Sequence, residues 1–323
     1  MSDASDRRQL RLGTRGSQLA RWQADWVADQ LRSLGQPVEI IEIRTRGDVQ
    51  QSGPISAIVQ ESGVEGGGAG GQGAFTKELQ RALLDGVIDL AVHSLKDLPT
   101  TPVEGLGVAA VPPRAPIGDV LISHVATTID ELPQGARVGT GSFRRRAQLL
   151  NRRPDLVIGD LRGNLDTRLR KLDDGEHDAI LLAEAGLTRL GWTDRLAGRI
   201  APSELLPAPG QGALGIECRS DDDTTIAALR PLDDFTTHAA VAAERAALAR
   251  LEGGCLAALG AWGRWDDAAL LLSVVVLRED GTKRLDAEAS SPSVSSLADS
   301  IALGEAVADD LLAQGAASLL RAR

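Results

Sequence analysis

Two short segments carry most of the chemistry that can be read from residue type and spacing. Thr140-Gly141-Ser142-Phe143-Arg144-Arg145-Arg146 sets hydroxyls and guanidiniums where an apolar strand gives way to a helix. Helix N-termini offer unpaired N–H groups to anions, and arginine adds planar, bidentate donors suited to carboxylates. Leu161-Arg162-Gly163-Asn164-Leu165-Asp166-Thr167-Arg168 repeats that strand, Arg, Gly, helix layout about 20 residues later, as adjacent β/α tips do. Two such tips favour a polyanion site over the plainer reading of a solvated basic face. Ala91-Val92-His93-Ser94-Leu95-Lys96-Asp97 runs from an apolar strand into a Lys-Asp pair. On an open surface that pair contributes little, but in a cleft the ammonium would hold an anion and the carboxylate would stabilise a developing cation. Cys255, in Leu251-Glu252-Gly253-Gly254-Cys255, follows a helix-ending glycine pair, where a thiol is either a small buried hydrophobe or an accessible nucleophile. Cys218 follows the apolar strand Ala213 to Glu217 and reads as structural.

These tips need strands and helices in alternation, and the hydropathy pattern supplies them. Leu10 to Thr14 reads as a strand, followed by a helix capped by Ser17, with Leu19, Trp22, Trp26, Leu31 and Leu34 at helical spacing and Gly35 as its stop. Val38 to Thr45 alternates as a strand, Phe75 to Asp85 is helical and Ile88 to Val92 is a short buried strand. Further segments continue the alternation: Val120 to Ser123, Arg137 to Thr140, Ser142 to Asn151, Leu156 to Gly159, Asn164 to Asp173 and Ala179 to Ala183. The pattern predicts twisted α/β sheets with helices on both faces. Prolines at 112, 113 and 116, and at 202, 207 and 209, mark two breaks. Beyond them, a helix at Thr236 to Leu251, antiparallel strands near Ala257 to Trp262 and Leu270 to Leu277, and a helix from about Ser295 to Leu320 predict a small α+β domain. No internal repeat is visible.

Composition excludes several classes. The 323 residues are 43% apolar and 25% charged, so a soluble globular protein of two or three domains is expected. No apolar run approaches the ~20 residues of a membrane helix, and Met1 to Arg11 lacks the apolar core of a signal peptide. Two cysteines build no disulfide framework and suggest a reducing compartment; with four scattered histidines they offer no metal-ligand spacing. The net charge of −10 argues against non-specific nucleic-acid binding, yet residues 137–170 hold nine arginines against three aspartates, a local +6. Gly63 to Gly73 contains seven glycines in eleven residues without the Lys-Ser or Lys-Thr of a phosphate loop. A surface loop is the plainer reading of it, and a lid over a site the alternative.

Taken together, Thr14-Arg15-Gly16-Ser17, Thr45-Arg46-Gly47-Asp48, His93 to Asp97, Gly141 to Arg145, Leu161 to Asn164, Gly210-Gln211-Gly212 and Leu251 to Cys255 stand in an order that resembles the porphobilinogen deaminase (hydroxymethylbilane synthase) family. The resemblance spans about residues 10–320. It implies two α/β domains similar to type II periplasmic binding proteins plus a smaller C-terminal α+β domain: residues 1–112 with 213–230, residues 117–206, and residues 235–323. It further implies head-to-tail condensation of four porphobilinogen molecules with loss of ammonia, then release of a linear tetrapyrrole for heme and porphyrin biosynthesis. The growing chain would be primed by a dipyrromethane cofactor held through a thioether to Cys255. By the same resemblance Asp97 is the catalytic carboxylate. Lys96, Thr140, Ser142, Arg144, Arg145 and Arg168 would bind the cofactor, and Arg15, Ser17, Gln23, Arg162, Arg168 and Arg189 the substrate. No metal, nucleic acid or membrane partner is implied, and a cytoplasmic monomer is expected. The chain departs from the family in the Gly-rich segment, where many members carry lysines: nothing between Arg46 and Lys77 is basic, and Gln72 stands where one lysine is often found. Two other classes remain open at this level. One is a non-catalytic anion binder, which would need neither Cys255 nor Asp97; the other is a thiol-dependent transferase, with His238 as the only modest candidate base near Cys255.

Overall fold

The computed structural model describes residues 7–43, 76–252 and 257–320. In chain order its elements are β1 (Leu10–Thr14), α1 (Gln18–Ser33), β2 (Val38–Glu42), α2 (Lys77–Leu84), β3 (Leu90–Ser94), β4 (Leu106–Ala110), β5 (Asp119–Ser123), β6 (Arg137–Gly139), α3 (Phe143–Arg152), β7 (Val157–Gly159), α4 (Leu165–Asp173), β8 (Ala179–Ala183), α5 (Glu184–Leu190), β9 (Gly198–Ile200), β10 (Leu214–Arg219), α6 (Asp223–Leu229), α7 (Phe235–Arg250), β11 (Leu259–Asp266), β12 (Ala269–Leu277), β13 (Arg284–Ser291), α8 (Leu297–Ala313) and α9 (Ala316–Leu320). They fall into two compact units, Met1–Arg114 with Ala213–His238, and Ala115–Gly212 with Ala239–Arg323.

The first unit holds a five-stranded sheet in the order β2-β1-β3-β10-β4. β1 runs parallel to β2 and β3, whereas β10 is antiparallel to β3 and β4. α1 starts where Ser17 accepts the Ala20 N–H and buries Ala24, Val27, Ala28 and Leu31 against Leu10, Leu12, Leu90, Val92 and Ile216. This face differs from the expected stripe. Trp26 only flanks the cluster, Leu34 is 45% exposed, and the small alanines are what the helix turns to the sheet. Close approach of helix and sheet favours small side chains there, with the bulky tryptophan at the rim. α2 covers the opposite face, packing Leu79 and Leu83 on Ile88, Ala91 and Leu106. Each fully buried leucine of this kind contributes roughly 1.5–3 kcal/mol.

The second unit repeats that sheet. Its order is β7-β6-β8-β5-β9, with β6 parallel to β7 and β8, and β5 antiparallel to β8 and β9. Order and directions match the first sheet strand for strand, a repeat of topology that leaves no trace in the residues. Leu149 of α3 lies in the cluster on one face, and Leu169, Leu172 and Leu187 from α4 and α5 in that on the other. The same unit contains a separate antiparallel sheet, β11-β12-β13, whose inner face is covered by α7, α8 and α9 through Ala243, Ala247, Val307, Leu311 and Leu319. Its outer face meets α3 through Ala147, Leu206, Val275 and Leu277. The predicted long C-terminal helix is two helices: Gly315, at φ +97°, leaves the helical region between α8 and α9. Strands β4, β9 and β13 are additions to the sequence reading, as are α5 and α6.

Candidate functional site

Parallel neighbours place their C-terminal ends on the same edge of a sheet, which is where α/β proteins gather ligand-binding groups. In the first unit, β1 and β3 do this. The β1 tip leads through Arg15 and Gly16 to Ser17, the cap of α1, so Ser17 stands at a helix N-terminus. The β3 tip leads into a 3-10 turn over Leu95–Asp97, which leaves Asp97 exposed and Lys96 half-buried. The two tips are tied together: Gln23, buried on α1, donates from Nε2 to Ser94 Oγ at 2.9 Å. Arg15, Ser17, Gln23, Lys96 and Asp97 therefore lie along one edge, as a site there requires.

In the second unit the equivalent edge is formed by β6, β7 and β8. Beyond β6, Thr140 Oγ1 accepts the Ser142 N–H at 3.2 Å, and Ser142 Oγ caps α3 by accepting the Arg145 N–H. Glycines at the ends of β6 and β7 are obligatory for another reason: a Cβ on Gly139 or Gly159 would stand 2.8 Å or 2.6 Å from the His177 ring packed across them. Beyond β7, Arg162 Nε donates to Asp160 at 2.7 Å, and Arg168 Nε donates to the Gly163 carbonyl at 2.8 Å. Arg189 on α5 donates to the Gly212 carbonyl at 2.7 Å, and burial pushes its guanidinium down to about 10, still cationic at neutral pH.

Arg144 and Arg145, expected from the resemblance to bind the cofactor, also make bonds within the protein. Both are buried, at 3% and 6% exposure, and both reach Asp119, the fully buried first residue of β5. Arg144 donates to Asp119 Oδ2 at 2.7 Å and to the Leu206 carbonyl at 2.6 Å. Arg145 donates to Asp119 Oδ1 at 2.8 Å and to the Leu181 carbonyl at 3.0 Å. Gln211 Nε2 adds a third donor to Asp119 at 2.9 Å. Burial pushes the Asp119 carboxyl up, but the two guanidiniums outweigh it and hold it well below the usual carboxylate range. Burial likewise lowers Arg144. Two cations against one anion leave this buried cluster with a net positive charge, and each Nε finds no hydrogen-bond acceptor among the described residues.

The +6 window of the sequence is correspondingly less positive in space. Beyond the Asp119 cluster, Arg137 pairs with Asp178, Arg146 with Glu279, and Arg152 with both Asp130 and Glu204, all acids from outside the window. Asp119 is the residue that reading by sequence passed over. Its signal is a charged residue opening the wholly apolar strand that continues Val120, Leu121, Ile122. His238, considered as a base, has its Nδ1 engaged with Asp233 at 2.8 Å. Cys255, Arg46 to Asp48 and the Gly63 to Gly73 segment with Gln72 lie outside the described residues.

Comparison with known proteins bears on this arrangement. Residues 10–227 match the family model described as porphobilinogen deaminase, dipyromethane cofactor binding domain, and residues 238–313 that of the porphobilinogen deaminase C-terminal domain. A porphobilinogen deaminase of Desulforudis audaxviator is 49% identical over 316 residues, covering 97% of each chain. One from Syntrophotalea carbinolica is 44% identical, covering 97% of this chain and 95% of its own. Among solved structures, the methionine-binding protein MetQ superposes with a TM-score of 0.41 at 13% identity, over 71% of this chain and 91% of its own. An arginine-specific periplasmic binding protein of Salmonella typhimurium does so with a TM-score of 0.39 at 13% identity, over 71% and 93%. With both cofactor-binding and C-terminal models matched in sequence order, and near-half identity along almost its whole length, the chain belongs to the porphobilinogen deaminase family.

Proposed function

We propose that the chain is a hydroxymethylbilane synthase, which joins four porphobilinogen molecules head to tail, expels ammonia at each addition and releases the linear tetrapyrrole by hydrolysis. In each addition the aminomethyl C–N bond breaks, a C–C bond forms to a free pyrrole α-carbon, and that carbon gives up its proton. Bound dipyrromethane supplies the first such α-carbon. The residues present fit a group of this kind, which bears acetate and propionate arms. The Asp119 cluster holds an uncompensated positive charge in a desolvated place, and such a charge is best stabilised by an anion. Arg144 and Arg145 would act on the cofactor chiefly through that charge, and Lys96, Arg168, Thr140 and Ser142 would bond its carboxylates. Cys255, just beyond α7, is the anchor.

Loss of ammonia leaves a cationic methylene-pyrrole. Asp97 is the residue we assign to stabilise it and to accept the pyrrole proton, because it is an exposed carboxylate on a turn rooted in a buried strand. That placement is the observation that carries the proposal. Arg15, Ser17, Gln23, Arg162, Arg168 and Arg189 are the substrate-binding set, suited to two carboxylates per pyrrole and about twelve at the longest stage. A cytoplasmic monomer acting without nucleic acid or membrane, and the three-domain division at 1–112 with 213–230, 117–206 and 235–323, complete the proposal. Incubating the holoenzyme with porphobilinogen should release four ammonia per linear tetrapyrrole formed. Binding of porphobilinogen without ammonia would return the chain to the class of anion binders.

A further inference from the structure

β3 ends in two residues whose side chains point to opposite faces of the sheet, as the period of a strand dictates. Both are held by side chains from other elements. On one face Ser94 accepts from Gln23 of α1. On the other, His93 Nε2 lies 3.1 Å from Glu217 Oε2 of β10, and Glu217 Oε1 accepts from Gln80 Nε2 of α2 at 3.0 Å. His93, Glu217 and Gln80 are 5%, 4% and 7% exposed. They sit on the face where α2 packs Leu79 and Leu83 beside Ile88 and Ala91. The main chain completes the hold: Leu95 N–H donates to the Ala213 carbonyl at 3.0 Å, and Leu95 fills the space left by Gly215, the cross-strand partner of His93. The very next residues are Lys96 and Asp97.

Burying three polar side chains costs more than filling the same layer with aliphatic ones, even when every bond is made. Stability alone therefore does not account for them, whereas a fixed orientation of the strand tip does. We propose that His93, oriented by Glu217 and Gln80, is a positioning residue that sets the angle at which the β3 tip presents Asp97. This rests on the assignment of Asp97 as the reacting carboxylate. His93 touches no substrate; its effect passes through the main chain of residues 94–97.

A double-mutant cycle on the cofactor-loaded enzyme tests this, with kcat and KM for porphobilinogen measured separately. His93→Ala should lower kcat about 10- to 100-fold, the loss expected from a misaimed catalytic group, while leaving KM within about threefold. His93→Gln, which keeps an N–H donor at similar reach, should restore most of it. In an Asp97→Asn background His93→Ala should change the remaining kcat by less than about twofold, because there is no carboxylate left to aim. If His93→Ala does not fold, Gln80→Ala removes one bond to Glu217 and should show the same pattern at smaller size. An unchanged kcat in His93→Ala, or an equal loss in both backgrounds, overturns the proposal. Full turnover by Asp97→Asn alone is a separate result, which overturns the assignment of Asp97 and the positioning role with it.

Discussion

Replacing Asp119 by asparagine isolates the electrostatics on which the second unit depends. The substitution keeps the shape of the side chain and an oxygen for one donor, but leaves Arg144 and Arg145 buried with no counter-charge. Removing one partner of a buried ion pair costs about 3–5 kcal/mol, because the orphaned charge is neither solvated nor matched. Here two cations lose the same anion, so the upper part of that range applies. For a unit of this size each kcal/mol lowers Tm by roughly 2–4 °C, which for about 4–5 kcal/mol gives a fall of about 8–20 °C. Calorimetry of the wild type and Asp119→Asn at neutral pH is the assay. The pH dependence follows from the direction of the shift. The folded-state carboxyl is held far below its unfolded value, so its contribution is fully present above the unfolded pKa near ~3.9 and is lost as pH falls through the folded one. The gap between the two proteins should be constant above about pH 5 and narrow in strong acid. A Tm difference under about 1 °C at neutral pH would refute the reasoning, because it would mean the arginines need no anion where they lie.

Asp97→Asn should leave Tm within about 2 °C of the wild type and retain the cofactor, while kcat falls by about 100-fold or more, the usual loss when a group stabilising developing charge is removed. Near-normal turnover would end the assignment. Asp89, at the opposite end of β3, makes a second acid-sensitive contact. Burial pushes it up, but hydrogen bonds from Arg11 and Arg219 more than offset this and hold it down to about 2. It should contribute about 2 kcal/mol above pH 4, lost as pH falls toward 2. Urea denaturation of wild type and Asp89→Asn across that range should show the gap closing, and a gap that stays constant would contradict it.

The sequence was most legible where local pattern and tertiary burial agree. Leu10–Thr14 and Ala179–Ala183 are found at the predicted bounds because Leu10 and Leu12 in the one, and the apolar run Ala-Ile-Leu-Leu-Ala in the other, are buried in a sheet. β13 was missed because Arg-Leu-Asp-Ala-Glu-Ala-Ser-Ser is an edge strand with a solvated face, so its composition reads as a loop. The twofold topology was expected only from the family resemblance and not from any visible repeat, because strand order is set by which surfaces bury each other. At the site, the turns that bear Ser17 and Ser142 were legible as strand ends followed by helix starts, and the one that bears Asp97 as a strand end running into polar residues. The fate of the Arg-Arg pair was not. Whether an arginine faces water or a buried carboxylate is decided by a residue distant in sequence, here Asp119, and no local spacing records that pairing.

The proposed function requires a dipyrromethane on Cys255 that is extended with porphobilinogen. Intact mass of the purified protein under denaturing conditions, beside a Cys255→Ser control, tests it most directly. An excess of two linked pyrrole units is expected on the wild type and none on the control. An unmodified wild-type chain that gains neither the adduct nor ammonia-releasing activity when supplied with porphobilinogen would contradict it.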